Sequence, residues 1–240
     1  MTKHCFIVTS AINTKFGVYP PAERLIQTVI TCRSIRQKVP DALIVIIELA
    51  GSTMDPAHEA VLVRESDIFL DFTEDAQVRS IYQSTDTNWD VVKNGTEIYC
   101  FGRAVALLLE EGDLQGVDRI HKISGRYVLS DAFDPMLYDN ELLLDKIVIG
   151  HKHQSQFPLE LTGQSWQYMA RLWSWPMSMS SEIVIVYENC WKYFLHQLAN
   201  QGYVDIEHAL AKFLPTEHIH EVAVIGLEGT IAPTGTMIKD

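Results

Sequence analysis

Asp118-Arg119-Ile120-His121-Lys122-Ile123-Ser124-Gly125-Arg126-Tyr127 reads as a short buried strand that runs into a basic, glycine-containing turn. The carboxyl ends of strands are where open α/β sheets bind ligands. A Lys and an Arg bracketing Ser-Gly can meet an oxyanion such as a diphosphate with charge, hydroxyl and backbone N–H together. The same residues also suit a solvated turn, so the segment by itself leaves both readings open.

Upstream, residues 5–12 form a continuous apolar run, as expected of a parallel strand buried on both faces. A polar loop, residues 13–19, follows. Pro20-Pro21 opens a helix whose apolar positions Leu25, Val29, Cys32, Ile35 and Val39 step by three or four until Pro40 ends it. Residues 42–49 and 67–72 read as the next two buried strands, with a short helical stretch between them. Residues 73–94 are polar and aperiodic, as in a lid or binding loop, and Asn94-Gly95-Thr96 reads as a turn before a helix start. Ile98, Phe101, Val105 and Leu108 then share one face of a helix over residues 96–111, with Gly112 at its C-cap. Alternating strands and helices in this order predict an α/β fold with a mostly parallel central sheet flanked by helices.

Downstream, residues 146–153 and 164–175 read as strands, residues 180–200 as a long amphipathic helix, and residues 206–213 as a shorter one. A strand over residues 221–231 leads to the turn signature Ala232-Pro233-Thr234-Gly235. The expectation is one domain over residues 1–240 with a C-terminal helical and strand subdomain.

An apolar content of 47% is ample for a core, and a net charge of −12 argues against a nucleic-acid or anionic-membrane partner. Any anion site must therefore be local. Cys5, Cys32, Cys100 and Cys190 lie scattered in apolar segments without Cys-x-x-Cys spacing, which points to free thiols in a reducing, cytoplasmic setting. No signal peptide and no integral membrane segment is predicted.

The missing motifs narrow the field. The first strand ends Val8-Thr9-Ser10-Ala11-Ile12-Asn13 without GxGxxG, and no GxxxxGK[ST], GxSxG or HExxH occurs. Dinucleotide-binding Rossmann enzymes, P-loop NTPases, α/β-hydrolases and zincins are disfavoured. The Gly-rich basic first loop of nucleotidyltransferases is absent too.

Arg24-Leu25-Ile26-Gln27-Thr28 with Ser34-Ile35-Arg36, Ile47-Glu48, Lys122-Ile123-Ser124-Gly125-Arg126-Tyr127, and Gly226-Leu227-Glu228-Gly229 before residues 232–235 occur in an order that spans most of the chain. In this the sequence resembles glycosyltransferase-like proteins with the GT-A nucleotide-diphospho-sugar transferase fold, bacterial and phage members among them. The resemblance implies a nucleotide-binding half over residues 1–130 and an acceptor-side half over residues 131–240. It also implies a nucleotide-sugar donor and a glycan or other small acceptor as partners. Mapped onto this chain, Thr9, Ser10 and Asn13 become nucleotide-loop contacts and Glu48 an acceptor for a base or ribose group. Lys122, Ser124, Gly125 and Arg126 become the diphosphate site.

One departure from the family pattern concerns metal. Typical members carry Asp-x-Asp at the fourth strand's end to hold Mg²⁺ or Mn²⁺, and this chain has Lys122-Ile123-Ser124-Gly125-Arg126 there. Fixed cations can stabilise a leaving nucleoside diphosphate in place of a divalent ion. Transfer with or without a divalent ion, Mn²⁺ or Mg²⁺, therefore stays open, and no residue is assigned to a metal. The rival reading is a noncatalytic nucleotide or nucleotide-sugar binding protein with a degenerate site.

An inverting transferase needs a carboxylate or imidazole near the acceptor hydroxyl, and Glu207-His208 offers both as catalytic candidates. Glu182, near a helix start, suits the dipole as well as it suits catalysis. Asp131 and Asp134 read first as turn residues before Pro135. The pairs His151/His153 and His218/His220 read as surface histidines rather than metal ligands, since two ligands seldom make a site. Trp166, Tyr168, Trp173 and Trp175 read mainly as core, although an exposed ring in a cleft would stack a sugar.

Overall fold

A computed structural model describes residues 2–84, 88–230 and 237–240. The chain starts with β1 (His4–Ser10), α1 (Pro21–Lys38), β2 (Leu43–Glu48), α2 (Pro56–Glu65) and β3 (Ile68–Asp71). It continues through α3 (Ala76–Gln83), α4 (Trp89–Glu110), β4 (Arg119–Ser124) and β5 (Tyr127–Leu129). Then come β6 (Ile147–Gly150), β7 (His153–Gln154), α5 (Leu159–Thr162), β8 (Trp166–Gln167) and β9 (Leu172–Pro176). The last elements are α6 (Ser180–Ala199), α7 (Ile206–Phe213), β10 (Ile219–Val222), β11 (Leu227–Thr230) and β12 (Met237–Lys239).

The central sheet has seven strands in the order β10-β6-β9-β4-β1-β2-β3. β1 runs parallel to β2 and β4, β2 to β3, and β6 to β10, while β9 is antiparallel to both β4 and β6. All seven residues of β1 are buried, because helices cover both faces of the sheet. Cys5 and Ile7 face the core shared with α4, α6 and α7, whereas Phe6 and Val8 face the core shared with α1 and α2. Two small antiparallel sheets, β12-β11-β5 and β7-β8, complete the strand set among the described residues. The fold class expected from the sequence is thus observed.

Local chemistry sets the helix starts. Asp55 caps α2 ahead of Pro56, and Asp75, Asn88 and Asp205 each accept backbone N–H groups at the starts of α3, α4 and α7. These caps correct the reading of residues 73–94 as one aperiodic loop, since α3 and the first turns of α4 lie within it. Asn94-Gly95-Thr96 is helix interior rather than a turn. Gly95 is tolerated there because α6 packs so close that a Cβ would sit 3.1 Å from the Phe194 ring, and Gly102 meets Tyr187 in the same way.

Three strand predictions are corrected. Residues 146–153 split into β6 and β7, residues 164–175 into β8 and β9, and residues 221–231 yield β10 and β11 on either side of a bend. β9 is an antiparallel insertion into the sheet, a direction that an apolar run does not encode. The turn over residues 232–235 lies outside the described residues. Trp173 and Trp175 are wholly buried, with ring centroids 4.7 Å apart, and Tyr168 is buried with its hydroxyl donating to Glu221 at 2.9 Å. Trp166 alone of that set is exposed.

Candidate active site at the carboxyl edge of the sheet

Strand order reverses at β1: β2 and β3 lie on one side of it and β4 on the other. A crevice outside the carboxyl ends of β1 and β4 is where this topology binds ligands. Thr9 pairs in register with Ser124, and Ser10 with Glu48, so three strand ends bring these side chains to one edge. The turn after β4 is drawn against β1 by a 2.8 Å bond from Gly125 N–H to Thr9 O. A Cβ on Gly125 would lie 3.0 Å from that same carbonyl oxygen and from Thr28 Oγ1, which explains the glycine.

The two basic residues of this segment have different roles. Lys122 is 1% exposed, on the face of β4 that packs against α4. Its Nζ donates to Glu97 Oε1 at 2.7 Å, Ser124 Oγ at 2.8 Å and Ala170 O at 2.6 Å, which uses all three N–H groups. Lys122 is therefore no solvated turn residue, and it also has no N–H left for a ligand. It acts as a buried charge that orients Ser124. Arg126 is half-buried, stacks its guanidinium 5.7 Å from the Tyr127 ring centroid, and has a buried Nε without a hydrogen-bond partner among the described residues.

Arg126 acts electrostatically on Arg24, Lys93 and Glu97, so it belongs to one charged cluster with them. Arg24 is buried on the inner face of α1, and its guanidinium donates to Tyr19 O and Ala11 O at 3.3 Å each. Burial, with repulsion from Arg126, lowers its pKa to about 10. Burial raises the Glu97 carboxyl, but Lys122 and Lys93 outweigh it and hold the group below its ordinary value. For Lys93 burial is outweighed by Glu207 and Glu97, which favour the ammonium. Lys93 and Glu97 were not singled out in the sequence, and Arg24 entered only as the first residue of a family motif, with no role assigned. Arg24, Thr28 and Thr31 stand at core spacing on α1, a signal that was there to read; Lys93 was hidden by the misread start of α4, whereas Glu97 fell within the expected helix and only its partner on β4 was not legible.

Glu48 is fully buried at the end of β2. Its Oε1 accepts the Ile12 N–H at 2.9 Å and the Ala50 N–H at 3.2 Å, fastening the loop after β1 to the end of β2, while Oε2 has no partner among the described residues. Desolvation pushes its pKa up to about 7, against the opposing effects of Ser10 and the two amides. Asn13 donates to Thr53 O at 2.7 Å and so ties together the same two loops.

The two catalytic candidates on α7 point to different surroundings. Glu207 joins the cluster: burial and the carboxylates of Asp205 and Glu97 push it up to about 7 against the pull of Lys93. His208 is wholly buried, with Nδ1 against Asp205 and Nε2 against Ser155. Glu182 lies exposed in the first turn of α6. Asp131 pairs with Lys38 at 2.6 Å, and Asp134 caps a short 3₁₀ turn through Met136 N–H.

A divalent ion, as the Asp-x-Asp of GT-A enzymes would hold, does not suit this strand end. At the end of β4 the group left without a partner among the described residues is an N–H donor of Arg126, which attracts an anion and repels a cation, and Glu97 is engaged by Lys122. His151 instead meets Glu221 at 3.2 Å, and among the described residues no three His, Cys, Asp or Glu side chains converge as a metal site. A cavity of about 630 Å³ opens at the opposite, amino edge of the sheet, lined by Thr2, Asp118, Arg119, Tyr138 and Asp139 among others, and contains none of the candidate residues.

No protein-family model matches the chain, and no curated protein matches it in sequence. Solved structures do. The galactosyltransferase LgtC, in complex with donor and acceptor sugar analogs, superposes with a TM-score of 0.56 at 10% identity over 91% of this chain and 73% of that one. An active-site mutant of LgtC gives a TM-score of 0.57 at 9% identity, over 91% of this chain and 72% of that one. The likeness lies in the fold: the chain adopts a GT-A-like, glycosyltransferase-type architecture.

Proposed function

We propose that this protein transfers a sugar from a nucleoside-diphosphate donor to a glycan or other small acceptor, with the diphosphate held at the β1–β4 crevice by fixed cations. The observation that carries this reading is the mutual repulsion of Arg24 and Arg126 beside the point where strand order reverses, with a buried Arg126 N–H that has no hydrogen-bond partner among the described residues. A pyrophosphate supplies both the charge and the acceptor oxygens such a place calls for. Gly125 lets the chain approach closely, and Ser124, oriented by Lys122, presents a hydroxyl. As the sugar departs, negative charge grows on the diphosphate and the arginines stabilise it. The strand ends carrying Thr9, Ser10 and Glu48, with Asn13 beyond them, form the nucleoside side of the crevice.

Glu207 is the group for the acceptor. A carboxyl with a pKa near 7 takes a proton from a hydroxyl as readily at neutral pH as it returns one. The four cysteines are free and buried, which suits a reducing compartment such as the cytoplasm, and no helix among the described residues is long and apolar enough to cross a membrane.

A thermal-shift panel of nucleotide sugars, each with Mn²⁺ and with EDTA, tests the donor site. At least one donor raises Tm, the shift survives EDTA, and Arg126→Ala removes most of it. Stabilisation that appears only with metal would overturn the cation arrangement. Release of nucleoside diphosphate in the presence of acceptor separates a transferase from a binding protein, which would be stabilised by donor without turnover.

A further inference from the structure

Asp205, His208 and Ser155 form a continuous hydrogen-bonded chain at the start of α7, whose Asp205 also acts electrostatically on Glu207 and Lys93. Asp205 Oδ1 accepts the His208 backbone N–H at 2.9 Å as the helix cap and lies 2.5 Å from His208 Nδ1. His208 Nε2 lies 2.8 Å from Ser155 Oγ. Tyr203 OH, 3.4 Å from Asp205 Oδ2, steadies the other carboxylate oxygen. His208 is wholly buried and Asp205 nearly so, while Ser155 is partly exposed between β7 and α5.

This geometry sets the tautomer. A carboxylate has no proton to give, so the proton shared with Asp205 rides on Nδ1, and Nε2 turns its lone pair to the Ser155 hydroxyl. The hydroxyl proton has a second acceptor in Phe157 O at 2.7 Å, and Ser155 Oγ itself accepts the Phe157 N–H at 3.0 Å. The N–H of Gln156, the residue after the serine, makes a 3.4 Å contact with Gln167 Oε1 and no other hydrogen bond among the described residues. That amide is the position from which an oxyanion receives a donor when a serine acts as nucleophile. Phe157 is 37% exposed, and Trp166, in register with Gln154, is 48% exposed, so apolar surface adjoins the serine.

We propose that Ser155, His208 and Asp205 are a nucleophilic relay acting on acyl esters, an activity separate from sugar transfer. Ser155 Oγ attacks the ester carbonyl carbon and its proton passes to His208 Nε2. The tetrahedral intermediate, its oxyanion met by the Gln156 N–H, expels the alcohol, which leaves with the proton from Nε2. Water then gives a proton to Nε2 and attacks the acyl-serine. Collapse of this second intermediate releases the carboxylic acid and returns the proton to Ser155. The proton on Nδ1 stays on the imidazole throughout, and Asp205 holds it there and fixes the ring.

A tagged fluorophosphonate and p-nitrophenyl acetate test this on the full chain. The expected result is a single phosphonyl adduct on Ser155, located by peptide mapping of the labelled wild-type protein, with a burst of p-nitrophenolate before slower turnover. Ser155→Ala, on a partly exposed loop, abolishes both while its melting curve stays near wild type. Asp205→Asn slows labelling by at least about tenfold, the direction that loss of the correct tautomer gives. Absence of an adduct on the folded wild-type protein, or mapping of the adduct to another residue, overturns the relay. The mapping decides the matter even where a variant melts early.

Discussion

Glu48→Gln is expected to stabilise the protein, and to do so only at higher pH. The folded state keeps a proton on Glu48 up to about pH 7, whereas the ordinary carboxyl value is 4.5. Between those values the folded form holds a proton that the unfolded form has released, so stability falls as pH rises through the window and stays lowered above it. A difference of that size corresponds to about 3 kcal/mol at pH 8 and under about 1 kcal/mol at pH 5. Glutamine is neutral throughout. Its carbonyl oxygen can take over the Ile12 and Ala50 N–H bonds, and its amide can face Ser10. The stability gap between variant and wild type should therefore widen by about 2.5 kcal/mol from pH 5 to pH 8, equivalent to roughly 5–10 °C in Tm for a chain of this size. Urea unfolding of both proteins at the two pH values measures it. A gap that is constant with pH, or a variant that is less stable at pH 8, would show that Glu48 is not a strained buried acid.

Glu97→Ala leaves the Lys122 ammonium buried without its carboxylate and should cost about 3–5 kcal/mol, with the double variant Glu97→Ala/Lys122→Met recovering part of that loss in chemical denaturation. The buried pair His4 and His121, 2.9 Å apart through Nδ1 and Nε2, refuses protons: burial lowers His4 to about 4 and His121 well below its ordinary value. The unfolded chain takes up those protons below pH 6.5, so the pair should make stability fall from pH 6.5 down to about pH 4; replacing both residues by glutamine should flatten that slope in Tm against pH. Gly226→Ala should lower stability by at least about 2 kcal/mol, since Gly226 has φ +80 and a Cβ would lie 2.3 Å from Phe133 Cα; a melt within 1 °C of wild type would refute it.

The sequence made some of this molecule readable and concealed the rest for identifiable reasons. The β1-α1-β2 unit and β4 were legible because strands buried on both faces are unbroken apolar runs and α1 keeps its three-to-four spacing. Glu48 and the Ser124-Gly125-Arg126 turn were legible as residues ending such runs. The start of α4 was not, because a Gly that admits a neighbouring helix looks, in one dimension, like a Gly that makes a turn. With it went Lys93, which interacts with Glu207 on α7, while Glu97 sat in the expected helix but gave no sign of its partner on β4. Lys122 looked available because its position, one residue from the strand's last apolar residue, says nothing about what covers that face. The Asp205-His208 cap is local in sequence, but its link to Ser155 crosses 53 residues and leaves no local pattern.

The insertion of β9 beside β4 has a consequence for biosynthesis. Until β9 leaves the ribosome, the outer edge of β4 has no strand to pair with, and its unpaired amides and carbonyls present a template to other nascent chains. The intervening stretch is roughly 50 residues, which at 5–20 residues per second is an interval of about 2–10 s. The first four parallel strands thus form an assembly whose seam is closed late, by the segment that carries Trp173 and Trp175. Expression of this protein should be sensitive to pauses in translation between β4 and β9, and a chaperone that masks strand edges should relieve that sensitivity.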